Sequence, residues 1–151
     1  ILDGTHAAAS GHPGGSLSIA DIMSYLYFAE MKVDPANPKW ADRDRLVLSK
    51  GHAAPILYAA LARKGYFDPA MLPTLRSLGS PLQGHPHMHM LPGLDCSSGS
   101  LGQGLSVANG LAFAAKKLNK SYRTYCLMGD GEVQELRRGV GFLEFLLGDA
   151  P

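Results

Sequence analysis

An aspartate between two glycines follows a short segment with strong β propensity. Asp130 lies between Gly129 and Gly131, and residues 122–128 precede them. This pattern predicts a strand and a turn, with the carboxylate at the carboxyl end of the strand, where open α/β sheets bind ligands. A carboxylate there suits a hard divalent cation, and glycines let a diphosphate approach the backbone. An ordinary Asp-Gly turn is the alternative.

Three histidines each follow a glycine in a predicted loop. They are His12, His52 and His85. Imidazole titrates near neutral pH, so converging histidines can donate and accept protons or bind a polar substrate. A single Gly-His pair would carry little weight, because a lone histidine is more often structural. Three such pairs favour a functional site.

His85 also begins a His-x-His-x-His pattern that continues with His87 and His89. In an extended segment the three side chains would face one side, an arrangement that could bind zinc or copper. An irregular loop whose histidines share no ligand is the alternative, and we favour it.

A run of small residues, 97–104, begins a predicted helix. Free N–H groups at a helix start can hold an anion or the edge of a heterocycle. The run lacks the Gly-Lys-Ser/Thr ending of a P-loop and the Gly-x-Gly-x-x-Gly pattern of dinucleotide-binding folds. A close-packed helix start explains it equally well.

Length, composition and charge exclude several classes of protein. The chain has 151 residues, 46% of them hydrophobic and 18% charged, as expected for one globular domain. A net charge of +1, with scattered charges, argues against nucleic-acid or membrane-surface binding. No segment approaches the ~20 apolar residues that span a bilayer. Two cysteines, Cys96 and Cys126, predict a reducing, cytoplasmic setting and no disulfide framework.

Hydrophobic periodicity predicts the elements that position these loops. A strand at 45–49 and a second at 122–128 each lead into a turn and a helix, which predicts a parallel sheet with helices on its faces. The other predicted elements are a helix end at 1–10, a loop at 11–15, a helix capped by Ser16 that includes Ile19–Tyr27, a helix at 53–64, a short helix from Pro69 to about Leu78, a loop at 79–100 and a helix at 101–118.

Taken in order, these segments resemble the N-terminal part of transketolase, a family of thiamine diphosphate enzymes. The matching segments are 10–18, 48–53, 82–86, 98–104 and 129–135, and the resemblance covers residues 1–135. Segments 49–53 and 98–104 are most similar to the split form, in which the N- and C-terminal halves are separate chains. Deoxyxylulose-phosphate synthase is a related family, but segment 49–53 favours transketolase. The resemblance implies an α/β fold with a doubly wound, mainly parallel sheet and helices on both faces.

The resemblance also implies which residues hold the cofactor. Asp130 would bind Mg²⁺, with Ca²⁺ as a possible substitute, and the metal would hold the cofactor diphosphate. Gly129 and Gly131 would let the diphosphate approach. Gly99 and Leu101 would contact the cofactor beside its aminopyrimidine and thiazolium rings.

The remaining implied roles concern the substrate and the contact with the other half of the site. His52 would lie near the diphosphate and the thiazolium, while His12 and His85 would bind oxygens of the two-carbon unit. Glu135 would contact the other half of the site at an interface. The implied reaction transfers a two-carbon ketol unit from a ketose phosphate to an aldose phosphate, as in the pentose phosphate pathway.

The same resemblance implies that this chain needs a partner. The glutamate that activates the cofactor, and most ligands for sugar phosphates, belong to the C-terminal half of the family's enzymes. We therefore expect the partner to be a C-terminal half or subunit, in a homo- or hetero-oligomer, and expect the isolated chain to be inactive. A non-catalytic, truncated fragment is the alternative.

The resemblance ends at Glu135, and residues 136–151 form a divergent tail. The family's second Mg²⁺ ligand is an asparagine beyond the Gly-Asp-Gly turn, whereas the last asparagine here is Asn119. We therefore expect weakened metal binding. A frameshift after the codon for Glu135 is one hypothesis, and it predicts that another reading frame encodes the expected helix.

Overall fold

A computed structural model describes residues 1–136, which form an α/β unit. The predicted divergent tail lies, from residue 137 onward, outside the described residues. The strands are β1 (Arg45–Leu48) and β2 (Thr124–Leu127), and the α-helices are α1 (Leu2–Ala7), α2 (Pro13–Leu17), α3 (Ala20–Tyr25), α4 (Ala54–Lys64), α5 (Gln103–Lys117) and α6 (Glu132–Leu136). A π-helical turn (Leu26–Glu30) extends α3, and two 3₁₀ segments span Gly51–Ala53 and Pro69–Thr74.

The two strands pair in parallel, as the sequence predicted. Arg45 lies opposite Thr124 and Leu48 opposite Leu127. The connection between them includes α5, which packs against both strands. Leu46, Val47 and Leu48 of β1 are buried, whereas every residue of β2 is only half-buried. The described residues therefore supply a two-stranded parallel sheet, with β1 as its covered strand.

Helix α4 forms the centre of the hydrophobic core. Pro55 lies in its first turn, where a missing N–H costs nothing, and Gly65 ends it in the left-handed region at φ 102°. Both Tyr58 and Leu61 are almost fully buried. They pack with residues from α3, the π-helical turn, β1 and the long loop, including Met23, Leu26, Tyr27, Leu46, Leu48, Leu82 and Leu91. Among the described residues, no helix has the length and hydropathy to cross a membrane.

The predicted loop at 11–15 is wrong from Pro13 onward, because α2 begins there. Proline is favoured in a first helical turn, since its fixed φ suits the helix and its lack of an N–H leaves no donor unpaired. Ser16 does not cap the following helix either. It lies inside α2, and its hydroxyl donates to the carbonyl of Ala53 at 3.4 Å.

The long loop at 79–100 is confirmed, and a buried ion pair holds it against β1. The guanidinium of Arg43 donates to both carboxylate oxygens of Asp95, at 2.6 and 3.2 Å. The same carboxylate accepts the backbone N–H of Leu46 in β1 at 2.8 Å. The side chains of Arg43 and Asp95 are only 8% and 5% exposed. This contact attaches the loop that carries His85 to β1.

Candidate functional site

The loops that carry His52 and Asp130 lie at one edge of the sheet, because the strands before them, β1 and β2, are parallel neighbours. Ser49, directly after β1, donates its backbone N–H to the carbonyl of Leu127 at the end of β2 (2.9 Å). The segment that carries His52 therefore begins beside the turn at 129–131. Asp130 is exposed in this turn. The carboxyl edge of parallel strands is where α/β proteins bind ligands.

The three histidines of the Gly-His pairs lie in one region at this edge. The ring centroids of His12 and His52 are 5.2 Å apart, with the rings edge to face. Gly15 of α2 packs against His52, since a Cβ added to Gly15 would be 3.3 Å from the imidazole Nε2. His85 lies beside Gly99, whose added Cβ would be 3.6 Å from the imidazole ring. His85 also acts electrostatically on His52.

The pKa of His52 is lowered from its ordinary value of 6.5. Partial burial of the imidazole is the largest cause, because desolvation disfavours the charged form. Positive charge at His12, Lys50 and His85 lowers the pKa further, whereas the carboxylate of Glu132 opposes this. His52 is therefore neutral at neutral pH and can accept a proton.

Replacing His12 with asparagine should raise the pKa of His52 toward 6.5, because it removes a neighbouring positive charge. In the wild type, folded His52 binds protons less readily than unfolded His52. Stability is therefore lost as pH falls from 6.5 through the lower folded pKa, and His12→Asn should reduce that loss. An NMR titration of the His52 ring measures the pKa, with His6→Asn in α1 as the control. If the pKa of His52 were the same in His12→Asn as in the wild type, His12 would not lower the pKa of His52.

Lys50 is a buried cation beside the Gly-Asp-Gly turn, at 6% exposure. Its ammonium donates to the hydroxyl of Ser18 at 2.9 Å, and no carboxylate among the described side chains of residues 1–134 forms a salt bridge with it. The stem of Lys50 lies next to Gly129, whose added Cβ would be 3.6 Å from Cδ. A buried ammonium favours an anionic partner. Our sequence analysis missed Lys50, although its position directly after β1 was a signal.

Glu132 is a second residue that the sequence analysis missed. It lies in the first turn of α6, is 3% exposed and accepts hydrogen bonds from Ser49, Gly102 and Gly129. The acidic residue at a helix start gave a weak local signal, because the macrodipole favours acidic side chains there. Its three partners come from three separate segments, which no local pattern indicates.

The loop at 97–102 packs closely against the turn after β1. An added Cβ on Gly51 would lie 2.7 Å from the hydroxyl oxygen of Ser98 and 2.9 Å from its carbonyl oxygen, so only glycine permits this approach. The Ser98 hydroxyl is buried and has no hydrogen-bond partner within the described part of the chain. Gly99 and Leu101 are exposed in the same loop. The loop thus offers an unpaired polar atom and an open surface to a ligand.

The three-histidine metal site is not formed. His87 and His89 pack edge to face with ring centroids 5.7 Å apart, and the backbone N–H of His89 donates to His87 Nδ1 at 3.4 Å. His85 lies instead against Gly99. Among the described side chains, residues 1–134, no group of three or more His, Cys, Asp or Glu could hold a metal ion. The segment at 85–89 is an irregular loop, as the alternative predicted.

Neither cysteine is an activated nucleophile. Burial, Glu132 and Cys96 together raise the pKa of Cys126 to about 11, and burial also raises the pKa of Cys96. Both thiols are free and stay protonated at neutral pH. Glu135 lies in α6, and its role at an interface stays a prediction.

Comparison with known proteins identifies the family. Residues 1–140 match the family model described as transketolase, thiamine diphosphate binding domain. The 6-deoxy-6-sulfo-D-fructose transketolase subunit SqwG of Clostridium sp. (strain MSTE9) is 52% identical over 83% of this chain and 46% of its own length. An apulose-4-phosphate transketolase subunit of Phocaeicola vulgatus is 44% identical over 89% of this chain and 48% of its own length. Human transketolase is 48% identical over 89% of this chain and 22% of its own length.

Solved structures of transketolases have the same fold. Transketolase from Leishmania mexicana superposes with a TM-score of 0.84 at 35% identity, covering 87% of this chain and 21% of that one. The Pichia stipitis enzyme, solved as a complex with sedoheptulose-7-phosphate, gives 0.77 at 35% identity, covering 87% of this chain and 21% of that one. This chain thus spans about half the length of the two subunit relatives, and it belongs to the transketolase family through its thiamine diphosphate-binding domain.

Proposed function

We propose that this chain is the cofactor-binding part of a transketolase that transfers a two-carbon ketol unit from a ketose phosphate to an aldose phosphate. The observation that carries the proposal is the convergence of Asp130, Lys50 and three histidines at the carboxyl edge of two parallel strands. The names of the two subunit relatives support a split enzyme. The sugar phosphate bound in a structural neighbour supports the substrate class.

The residues at this edge fit a diphosphate held through a hard cation. Mg²⁺ is often bound by one or two carboxylates together with phosphate oxygens, so Asp130 would serve as its charged protein ligand. Gly131 has open space around its Cα, and Gly129 borders Lys50, so a diphosphate could approach both. The buried ammonium of Lys50 would balance the added negative charge. Thiamine diphosphate supplies the carbanion chemistry of this family when it is bound.

The histidines would bind substrate oxygens and move protons. His52, neutral at neutral pH, would accept or share a proton beside the cofactor. His12 and His85, both exposed, would donate hydrogen bonds to hydroxyl and carbonyl oxygens of the two-carbon unit. Gly99 and Leu101 would contact the cofactor rings from the neighbouring loop.

The partner would complete both the site and the fold. We infer that the complete domain has a doubly wound sheet with helices on both faces, because strands of a parallel sheet are normally covered and β2 is only half-buried here. A C-terminal half or subunit would supply the remaining groups, with Glu135 at the interface of an oligomer. Two free cysteines with raised pKa values are consistent with a reducing, cytoplasmic setting.

Replacing Asp130 with alanine tests the proposal. We expect the wild-type chain to bind thiamine diphosphate more tightly with Mg²⁺ than without, and Asp130→Ala to lose that metal dependence, because the charged metal ligand is gone. Isothermal titration calorimetry with and without Mg²⁺ measures this. Asp21→Ala, which removes an exposed carboxylate on α3, is the matched control.

The wild-type result separates the proposed enzyme from the non-catalytic alternative. Binding, followed by ketol transfer when a C-terminal transketolase half is added, would support the enzyme. Binding without transfer in that mixture would favour a binding module. An absence of thiamine diphosphate binding by the wild-type chain in the presence of Mg²⁺ and an added C-terminal transketolase half would refute the proposed function.

A further inference from the structure

The carboxylate of Glu132 joins three separate segments at the carboxyl edge of the sheet. Oε1 accepts the hydroxyl of Ser49 at 2.5 Å and the backbone N–H of Gly102 at 2.8 Å. Oε2 accepts the backbone N–H of Gly129 at 3.0 Å. At 3% exposure, water contributes little to the solvation of this side chain. Three oriented donors therefore stabilise the buried carboxylate, and the carboxylate in turn fixes the three donors relative to one another.

Each of the three partners borders a group of the proposed cofactor site. Ser49 precedes Lys50, the buried cation after β1. Gly102, in the left-handed region at φ 84°, joins the loop at 97–102 to α5. Gly129 precedes Asp130, the proposed metal ligand. A shift of Glu132 would thus move the cation, the loop and the metal ligand relative to one another.

A carboxylate suits this position better than an amide of the same size. It presents acceptors on both oxygens, which matches donors that arrive from two sides. Glutamine has the same size, but its amide nitrogen would place a donor against an N–H group. If its oxygen takes the place of Oε1, the N–H of Gly129 loses its acceptor. Glu132→Gln therefore keeps the volume and breaks one link, whereas Glu132→Ala breaks all three.

We propose that Glu132 is a positioning residue for thiamine diphosphate and Mg²⁺, because it holds the segments that carry Lys50, the 97–102 loop and Asp130 in one arrangement. This inference rests on the proposed function. Glu132 acts through the backbone and does not itself need to touch the cofactor. Loss of Glu132 should therefore weaken the affinity for thiamine diphosphate by about 10–100-fold, as does loss of a residue that orients a metal ligand.

The test compares Glu132→Gln with a buried carboxylate at the opposite edge of the sheet. Asp44, 3% exposed, accepts the backbone N–H groups of Lys32 at 2.8 Å and Arg123 at 2.7 Å, at the amino ends of the strands. Asp44→Asn thus disturbs a similar buried carboxylate far from the carboxyl edge. Both variants should be destabilised, but only Glu132→Gln should bind thiamine diphosphate about 10–100-fold more weakly at fixed Mg²⁺.

A second readout uses the full chain without cofactor. In Glu132→Gln, the amide of Gly129 should exchange with deuterium faster than in the wild type, and the pKa of His52 should fall because a negative charge near it is lost. In Ser49→Ala both backbone links stay, so affinity for thiamine diphosphate should change much less than in Glu132→Gln. Thermal unfolding of each variant establishes that it is folded.

The outcomes separate this proposal from the proposed function. Weaker binding and faster exchange in Glu132→Gln, with Asp44→Asn binding normally, would support the positioning role. Wild-type affinity or unchanged Gly129 exchange in Glu132→Gln would overturn it while leaving the cofactor site intact. Equal losses of affinity in both variants would overturn it as well, since general destabilisation would then explain them. A wild-type chain that does not bind thiamine diphosphate even with an added C-terminal transketolase half would overturn both.

Discussion

Replacing Asp95 with asparagine should lower the free energy of unfolding by about 3–5 kcal/mol, the usual cost of breaking a buried ion pair. Asp95 accepts two hydrogen bonds from Arg43 and one from the backbone N–H of Leu46. The Arg43 side chain is only 8% exposed, so the variant leaves a buried guanidinium without its carboxylate. Urea unfolding of the full chain measures the change.

An exposed ion pair in the same chain provides the matched control. Lys120 and Asp42 lie 3.0 Å apart, with side chains 36% and 41% exposed. Asp42→Asn should therefore change the unfolding free energy by less than about 1 kcal/mol. The double variant Arg43→Met, Asp95→Leu should recover part of the loss, because it removes both charges together. Recovery should be incomplete, since the N–H of Leu46 would still lack an acceptor. Equal effects of Asp95→Asn and Asp42→Asn would show that burial of the pair contributes nothing.

Two glycines of α5 should respond in opposite directions to substitution by alanine. An added Cβ on Gly104 would lie 2.6 Å from Cα of Ser49, a backbone atom that cannot move aside. Gly104→Ala should therefore destabilise the chain by about 1–3 kcal/mol, as overpacking does. An added Cβ on Gly110 has nothing within 4 Å, and this residue is exposed. Gly110→Ala should stabilise the chain by up to about 1 kcal/mol through helix propensity.

Cofactor binding should follow the same division between the two glycines. Ser49 directly precedes the buried Lys50, so an alanine at position 104 that displaces the backbone of Ser49 should also weaken binding of thiamine diphosphate. Gly110→Ala should leave binding unchanged. Urea unfolding and calorimetric titration of both variants measure these effects. If Gly104→Ala were as stable as the wild type, α5 would not pack closely against Ser49 at the end of β1.

The sequence alone predicted the elements whose signal is local. The apolar run of β1, the alanine-rich α4 and the glycine- and proline-rich loop at 79–100 all formed where they were expected. The predicted loop at 11–15 failed because proline both breaks helices and begins them. The choice between these outcomes depends on the residues that follow, and α2 packs against α4 through contacts that are distant in the sequence.

The residues of the candidate site also divide into those with a local sequence signal and those without one. The Gly-Asp-Gly turn and the three Gly-His pairs were visible because glycine beside a polar side chain is a local pattern. Lys50 and Glu132 were not visible, because a lysine or glutamate in a sequence is by default exposed. Their burial depends on partners far along the chain, with Glu132 and Ser49 separated by 83 residues. Arg43 and Asp95, separated by 52 residues, pair for the same reason.

The sequence by itself therefore determined the family and the strand–turn–helix order, because each depends on short segments in a fixed order. Only the tertiary structure decided which charges are buried and which segments they join. Parallel pairing of β1 with β2 brings Ser49, Gly129 and the loop before α5 to one edge, where a single carboxylate can reach all three. That arrangement depends on the spacing between elements, which local sequence patterns do not encode.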